Sequence, residues 1–240
     1  MQTIILAGGM GTRLKKTVSD VPKPMAPVGG KPFLEYIIAD LAAQGLGDIM
    51  LSVGYGREVI KSYFEDGSRW KVRIAYSEET TPLGTGGALA HALEAAGGGD
   101  CLVLNGDTFN KMSFRDIIDF HNSKDALMTM GLTRVDNADR YGSVELADSG
   151  EIVGFLEKNS RDRGYINRGV YVTSGAILPG MPPGPFSLEK DFFPGLIGLK
   201  FYGFPTDGFF TDIGIPSTYR YMDEHAYLLE QTEESSRGRR

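Results

Sequence analysis

The strongest constraint on the fold is a regular switch between short apolar runs and amphipathic stretches through the first half of the chain. Residues 2–7 (QTIILA) are an apolar run that stops at Gly8 and Gly9, as a buried strand does. Residues 31–45 (KPFLEYIIADLAAQG) carry Leu34, Ile37, Ile38 and Leu41 on one helical face. Pro32 stands where a first helical turn tolerates proline, and Gly45 closes the stretch. The same reading predicts strands at 48–53, 71–77, 101–107 and 126–133. Between them it predicts helices over 56–67, with Val59, Ile60, Tyr63 and Phe64 inward, over 86–99, and over 113–123. Four βα units in succession imply an α/β fold, with a mostly parallel sheet and helices on both faces.

Beyond about residue 140 the period changes. The runs GSVELA (142–147), EIVGFLEK (151–158) and INRGVYVTS (166–174), with the turn DSG between the first two, alternate as antiparallel strands do. A last helix over about 215–230 carries Tyr219, Met222, Ala226 and Leu229. No Pro/Ser-rich linker and no internal repeat divides the chain. One domain over 1–232 is therefore expected, with a nucleotide half over about 1–135 and a second-ligand half over about 136–232. The polar end, 233–240, reads as a frayed tail.

Ligands of open parallel sheets bind beyond the carboxyl ends of the strands. That rule directs attention to GGMGTR after the first strand, EETTPLGTGG after the third and NGDTF after the fourth. The first loop is neither familiar phosphate fingerprint. A P-loop requires Gly-Lys-Ser/Thr after its glycines, and none follows here. A dinucleotide loop requires a third glycine where Leu14 stands, and an acid ending a second strand, whereas Asp20 lies in a loop. The loop still suits phosphate. Gly8, Gly9 and Gly11 let backbone N–H groups approach anionic oxygens. Arg13 adds a planar donor fork, and Lys23 a point charge on a segment stiffened by Pro22 and Pro24.

The formal charge of −6 argues against nucleic acid as a partner, since phosphate backbones are gripped by basic surfaces, but not against a nucleotide. No apolar run approaches the roughly 20 residues of a membrane span, and the N-terminus lacks the pattern of a secretory signal, so a cytoplasmic location is expected. Cys101, the single cysteine, reads as a small buried hydrophobe. His91, His121 and His225 show no metal-ligand spacing and read as packing or surface residues of helices.

LAGGMGTRLKK followed by PKPMAPVGGKP resembles the signature of the sugar-1-phosphate nucleotidyltransferases. PLGTGGAL, LNGDTF, RYGSV, FLEKN, INRGVYV and FTDIGIP follow in family order, so the resemblance covers nearly the whole chain. It implies a Rossmann-like, GT-A-type, three-layer α/β/α fold with a mixed, mostly parallel sheet. It also implies transfer of a nucleoside monophosphate from a nucleoside triphosphate to a sugar 1-phosphate, releasing pyrophosphate, with Mg2+ as cofactor. By the same resemblance Arg13 would hold the departing phosphates, Lys23 the reacting ones, and Asp107 and Asp212 the metal. Leu6, Ala7, Gly8, Gly9, Gly11, Thr12, Glu79, Pro82, Gly84 and Thr85 would surround the nucleotide. Gly142, Glu157, Lys158 and Asn167 would take the sugar phosphate, although Glu157 and Lys158, adjacent on a strand, should point to opposite faces.

Two further expectations concern the substrates. Guanine presents N1–H and N2–H2 on one edge, and a carboxylate, acceptor-only, can take both. Glu79 or its neighbour Glu78 therefore becomes a candidate reader of GTP. The absence of Pro-Leu-Thr after GTRL, together with FSLEKDFFP, likens the chain to the family's heptose 1-phosphate guanylyltransferases, whose products feed surface polysaccharide or glycoprotein assembly. Mannose 1-phosphate with GTP, glucose 1-phosphate with CTP or dTTP, and a non-catalytic nucleotide-sugar-binding subunit stay open. So does a homodimer built through the later strands or the last helix.

Overall fold

The expected parallel strands are present in the computed structural model, which describes residues 1–9, 11, 14, 21–136, 142–156 and 163–230. β1 (Gln2–Leu6) is followed by a 3-10 turn at Lys23–Met25, the short strands β2 (Pro27–Val28) and β3 (Lys31–Pro32), and α1 (Phe33–Ala43). Then come β4 (Asp48–Val53), α2 (Arg57–Phe64), β5 (Arg73–Glu78), α3 (Gly84–Ala95), β6 (Cys101–Asn105), β7 (Thr108–Asn110), α4 (Phe114–Ser123) and β8 (Met128–Val135). The later part supplies β9 (Ser143–Leu146), β10 (Ile152–Leu156), β11 (Gly164–Thr173), β12 (Phe201–Pro205), β13 (Phe210–Asp212), α5 (Pro216–Glu224) and α6 (Tyr227–Glu230).

Among the described residues nine strands make one mixed sheet. Its centre runs β6-β1-β4-β5, all parallel. The chain thus leaves β1 toward β4 and β5, then returns to β6 on β1's other side. That reversal opens a crevice between the carboxyl ends of β1 and β6. β11 runs antiparallel to β6 and extends past it, so that β6 and β9 share one of its edges while β8 takes the other. β12 lies parallel to β8, and β10 pairs with β9.

Alternate residues of each strand serve opposite faces, which gives three layers. Ile5, Ile49, Leu51, Leu102, Leu104, Val170 and Val172 pack with α1, α2, α4 and α5. Ile4, Met50, Cys101, Val103 and Tyr171 pack on the other side with α3 and the irregular segment 175–196. Cys101 is buried as expected, and burial pushes its thiol up to about 11. His121 is also buried, against the hydroxyl of Thr129 at 2.9 Å, and desolvation lowers its pKa.

Several local expectations need correction. Pro32 is the residue before α1, not part of it, because its extended backbone (ψ 137°) belongs to β3. β6 ends at Asn105, since Gly106 and Asp107 turn the chain into β7. The last helix is split at His225 and Ala226, so His225 lies between helices and not within one. In α2 only Ile60 and Phe64 are buried, while Tyr63 is half-buried and Val59 is 40% exposed. Ile60 and Phe64 are four residues apart and form the inward stripe of a two-turn helix, and Val59 is rotated about 100° from Ile60.

The pairing of β11 with β8 also shifts register once. Asn167 pairs with Leu132 but Tyr171 pairs with Met130, so three β11 residues, Arg168, Gly169 and Val170, face a single residue of β8. Arg168 is fully buried there. Desolvation lowers its pKa to about 10, with the charge of Asp207 opposing, and the guanidinium remains protonated at neutral pH.

Phe64 packs edge-on to Tyr63 and against Trp70, with ring centroids 5.0 and 4.9 Å away. Phe64→Ala should lower stability by about 3–5 kcal/mol, whereas Val59→Ala should stay within about 0.5 kcal/mol of the wild type. Urea unfolding of the two variants distinguishes this register from one with Val59 inward.

Candidate functional site

A cavity of about 630 Å3 lies at the carboxyl ends of the central strands. Leu6, Ala7, Gly8, Gly9 and Gly11 line it from the first loop, and Lys23 and Pro24 from the 3-10 turn. Gly54, Tyr55 and Arg57 follow β4; Glu79, Thr80, Thr81 and Pro82 follow β5; Gly84, Thr85 and Ala88 open α3; Asn105 ends β6 and Asp107 follows it, and Gly214 closes the far side. The size suits a nucleotide-sized ligand. The N-terminus of the twelve-residue helix α3 is at the wall, so its partial positive charge faces the cavity.

The first loop is tied to its neighbours through backbone. Ala7 N–H donates to Ser52 O at 2.8 Å, and Gly106 N–H donates to Leu6 O at 2.9 Å. Glu79 N–H donates to Val53 O at 2.8 Å, which brings its carboxylate back over the loop. Glu79 Oε2 accepts the Leu83 N–H at 2.9 Å. Glu79 Oε1 lies only 2.3 Å from where a Cβ on Gly8 would stand, so a side chain at residue 8 would displace the carboxylate. Glu78 faces elsewhere. Its carboxylate pairs with Lys61 at 2.7 Å and Arg57 at 3.4 Å, and the Lys61 hydrogen bond holds its pKa below the usual carboxylate range.

Lys23 reaches the opposite end of the cavity. The Pro22-Lys23-Pro24-Met25 turn is closed by Met25 N–H donating to Pro22 O at 2.8 Å, and it presents Lys23 Nζ to Asp107 Oδ2. The other oxygen of Asp107 accepts the Thr108 hydroxyl at 3.0 Å. Asp212 arrives through the ribbon of β7 and β13, where it pairs with Thr108, and Ile213 N–H donates to Asp107 O at 3.0 Å. Asp212 Oδ1 accepts the Gly214 N–H at 2.6 Å. A Cβ on Gly214 would lie 2.5 Å from that oxygen and 3.3 Å from Lys23 Nζ, so one small space adjoins both groups. Two carboxylates with only hard oxygen donors fit Mg2+, which keeps waters and substrate oxygens for its remaining positions. Among the described residues no cluster of three or more His, Cys, Asp or Glu forms.

The remaining expected residues lie further out or outside the described residues. Gly142 stands just before β9, and Asn167 lies in β11. Asn167 Nδ2 donates to the buried Tyr171 hydroxyl at 2.7 Å, and Oδ1 accepts the Gly169 N–H at 2.8 Å, leaving one amide hydrogen and one lone pair. Thr85 lines the cavity, but its hydroxyl is committed. It donates to Glu189 Oε2 at 3.0 Å and accepts the Leu188 N–H at 2.9 Å. Gly86 N–H to Phe186 O at 2.9 Å continues the seam that docks segment 184–192 on the start of α3. Thr12, Arg13, Glu157, Lys158 and the tail 233–240 lie outside the described residues. Sequence reasoning missed Tyr55 and Arg57, although GYGR follows β4 and the strand-end rule covers it. Arg57 Nη1 donates to Glu79 O at 3.1 Å.

The profile of the nucleotidyl transferase family matches residues 2–179, and the chain belongs to that family. It is 42% identical over 223 residues to D-glycero-alpha-D-manno-heptose 1-phosphate guanylyltransferase of Aneurinibacillus thermoaerophilus, covering 92% of this chain and 96% of that one. The enzyme of the same name from Campylobacter jejuni is 38% identical, with 92% and 98% covered. Among solved structures, HddC from Yersinia pseudotuberculosis complexed with GMP-PN superposes with a TM-score of 0.82 at 34% identity, covering 94% of this chain and 99% of that one.

Thr85→Val keeps the shape of the side chain and strands the Leu188 N–H. Urea unfolding should show a loss of about 1–3 kcal/mol, and limited proteolysis should cut segment 184–192 faster than in the wild type.

Proposed function

We propose that this chain transfers a guanylyl group from GTP to D-glycero-α-D-manno-heptose 1-phosphate, giving GDP-heptose and pyrophosphate in the cytoplasm with Mg2+ as cofactor. The observation that carries the reading is one cavity with the Glu79 carboxylate at one end and the Lys23–Asp107 pair at the other. The carboxylate at one end matches the donor edge of guanine, and the charged pair at the other suits phosphates. Supporting it are the two heptose 1-phosphate guanylyltransferases to which the chain is similar, and the GMP-PN complex of HddC.

The chemistry asks for no protein nucleophile. A sugar 1-phosphate has a second pKa of about 6 and is mostly a dianion at neutral pH. Its oxygen bonds to the α-phosphorus, the bond from that phosphorus to the α–β bridging oxygen breaks, and pyrophosphate leaves with the electron pair. What opposes the step is the repulsion of two anions, so positioning and electrostatics carry the catalysis. Glu79 fixes the base through guanine N1–H and N2–H2. Lys23 neutralises the phosphates that react, and Arg13 the ones that leave. Lys158 holds the sugar phosphate, and Glu157, Asn167 and the backbone at Gly142 orient the sugar. Asp107 and Asp212 would hold Mg2+, which when bound supplies positive charge to the phosphate oxygens.

The test is pyrophosphate release with a panel of sugar 1-phosphates against GTP, ATP, CTP and UTP. GTP with the heptose 1-phosphate should give the highest kcat/KM, and a better pair would replace this reading. Glu79→Gln should cut kcat/KM for GTP about 10- to 100-fold, the worth of one buried hydrogen bond to a charged group, and narrow the preference for GTP over ATP. Unchanged GTP use would remove Glu79 as the base reader. Asp107→Ala should keep a wild-type circular dichroism spectrum and lose about 100-fold or more in turnover.

A further inference from the structure

Arg168 is a buried cation to which the chemistry above gives no task. Burying a charge is costly unless it is fully hydrogen-bonded, and here the bonds are numerous. Nε donates to Asn110 Oδ1 at 3.0 Å, while Asn110 Nδ2 donates back to Arg168 O at 3.1 Å. Nη1 donates to the carbonyls of Thr206 at 3.0 Å and Asp207 at 3.3 Å, and Nη2 to those of Gly208 at 3.5 Å and Phe209 at 3.2 Å. The guanidinium also lies 5.6 Å from the centre of the Phe210 ring.

All these partners sit on two pieces of chain. Asn110 ends β7, which begins one residue after Asp107, and residues 206–209 form the arch that delivers β13 and therefore Asp212. Phe209 O also accepts the Lys111 N–H at 2.8 Å, so the arch is held from β7 and from Arg168 at once. Gly208 has φ +110°, and a Cβ there would lie 2.2 Å from Lys111 O, so a side chain at 208 would strain the arch. The irregularity of β11 begins just after Asn167, whose amide is fixed by Tyr171 and Gly169.

We propose that Arg168 is a positioning residue: by clamping the 206–209 arch to β7 it holds Asp212 in place beside Asp107, and so sets how tightly the two carboxylates hold a divalent cation. The metal part rests on the guanylyltransferase reading, while the clamp itself does not. Groups that orient metal ligands from behind typically change metal affinity 10- to 100-fold when removed.

The test uses Arg168→Lys, Arg168→Met and Gly208→Ala. The third strains the arch while leaving the arginine side chain in place, so it stands even if an Arg168 variant fails to fold. Amide hydrogen exchange should accelerate over 206–214 in each variant that folds, with β1 and β4 unchanged. Mn2+ titrated into protein saturated with a non-hydrolysable GTP analogue, read by electron paramagnetic resonance, should bind about tenfold weaker or worse. The Mg2+ concentration that gives half the maximal rate should rise in parallel and kcat should fall, with KM for GTP little changed. On an Asp212→Asn background Arg168→Lys should add almost nothing to the loss of Mn2+ affinity, because the residue acts through Asp212. Unchanged exchange over 206–214, unchanged Mn2+ binding, or an equal loss on both backgrounds would overturn the proposal. If the wild type turns over no nucleotide with any sugar 1-phosphate, the functional reading fails, and exchange and Mn2+ binding still decide the clamp.

Discussion

The position of β1 between β4 and β6 is the constraint on which the rest of the molecule depends. Three parallel strands with hydrogen bonds on both sides of β1 leave its carboxyl end no freedom. The chain departs from β1 in one direction and comes back on the other side, so the loops after β1 and β6 diverge across the crevice instead of filling it. Everything chemical hangs on those loops. The glycine loop leaves β1, the Asn105–Asp107 turn leaves β6, and the segments after β4 and β5 add Arg57 and Glu79. Even the ribbon that brings in Asp212 is anchored on the turn after β6.

Charge is organised in the same crevice by opposition. Glu79 stands over Gly8 because that residue has no side chain to displace it, while the neighbouring Glu78 is turned away and spent on Lys61 and Arg57. Lys23 and Asp107 neutralise each other at the far end. On the proposed reading, an incoming polyanion would meet a cation already positioned by a proline-bounded turn, with Asp107 and Asp212 on hand for a hard metal. Segment 184–192 is tied to the start of α3. It consumes the Thr85 hydroxyl and packs Phe186 onto the start of α3, so Thr85 shapes the cavity more than it offers a free donor.

The first half of the fold was legible because each element there states its own period. The runs at 2–6, 48–53 and 101–105 are buried on both faces and read as nearly continuous apolar sequence, while the edge strand at 73–78 buries only Ile74 and Ser77. The cavity followed from strand ends alone, and Tyr55 and Arg57 escaped only because the second strand's end was passed over. Val59 was misjudged because two helical turns give too few residues to fix the phase of a stripe. The approach of Asp212 to Asp107 could not be read locally, since a long-range pairing of two three-residue strands creates it. The resemblance supplied that pair where pattern could not.

Arg168 marks the limit between the two kinds of reading. Along INRGVYV, Ile166 and Val170 are core positions, and strict alternation puts Arg168 on their side. A guanidinium at an inward position of a strand is a local contradiction, and such contradictions tend to fall where function is served at the expense of simple packing. The sequence carries this anomaly, although the motifs did not single Arg168 out. It could not announce the remedy, because the carbonyls that solvate the charge belong to an arch some forty residues further on. An apolar residue at 168 would leave Thr206, Asp207, Gly208 and Phe209 short of those donors while still filling the core. What the arginine adds is a fixed arch, and a fixed arch matters only because the strand it leads into, β13, ends in Asp212.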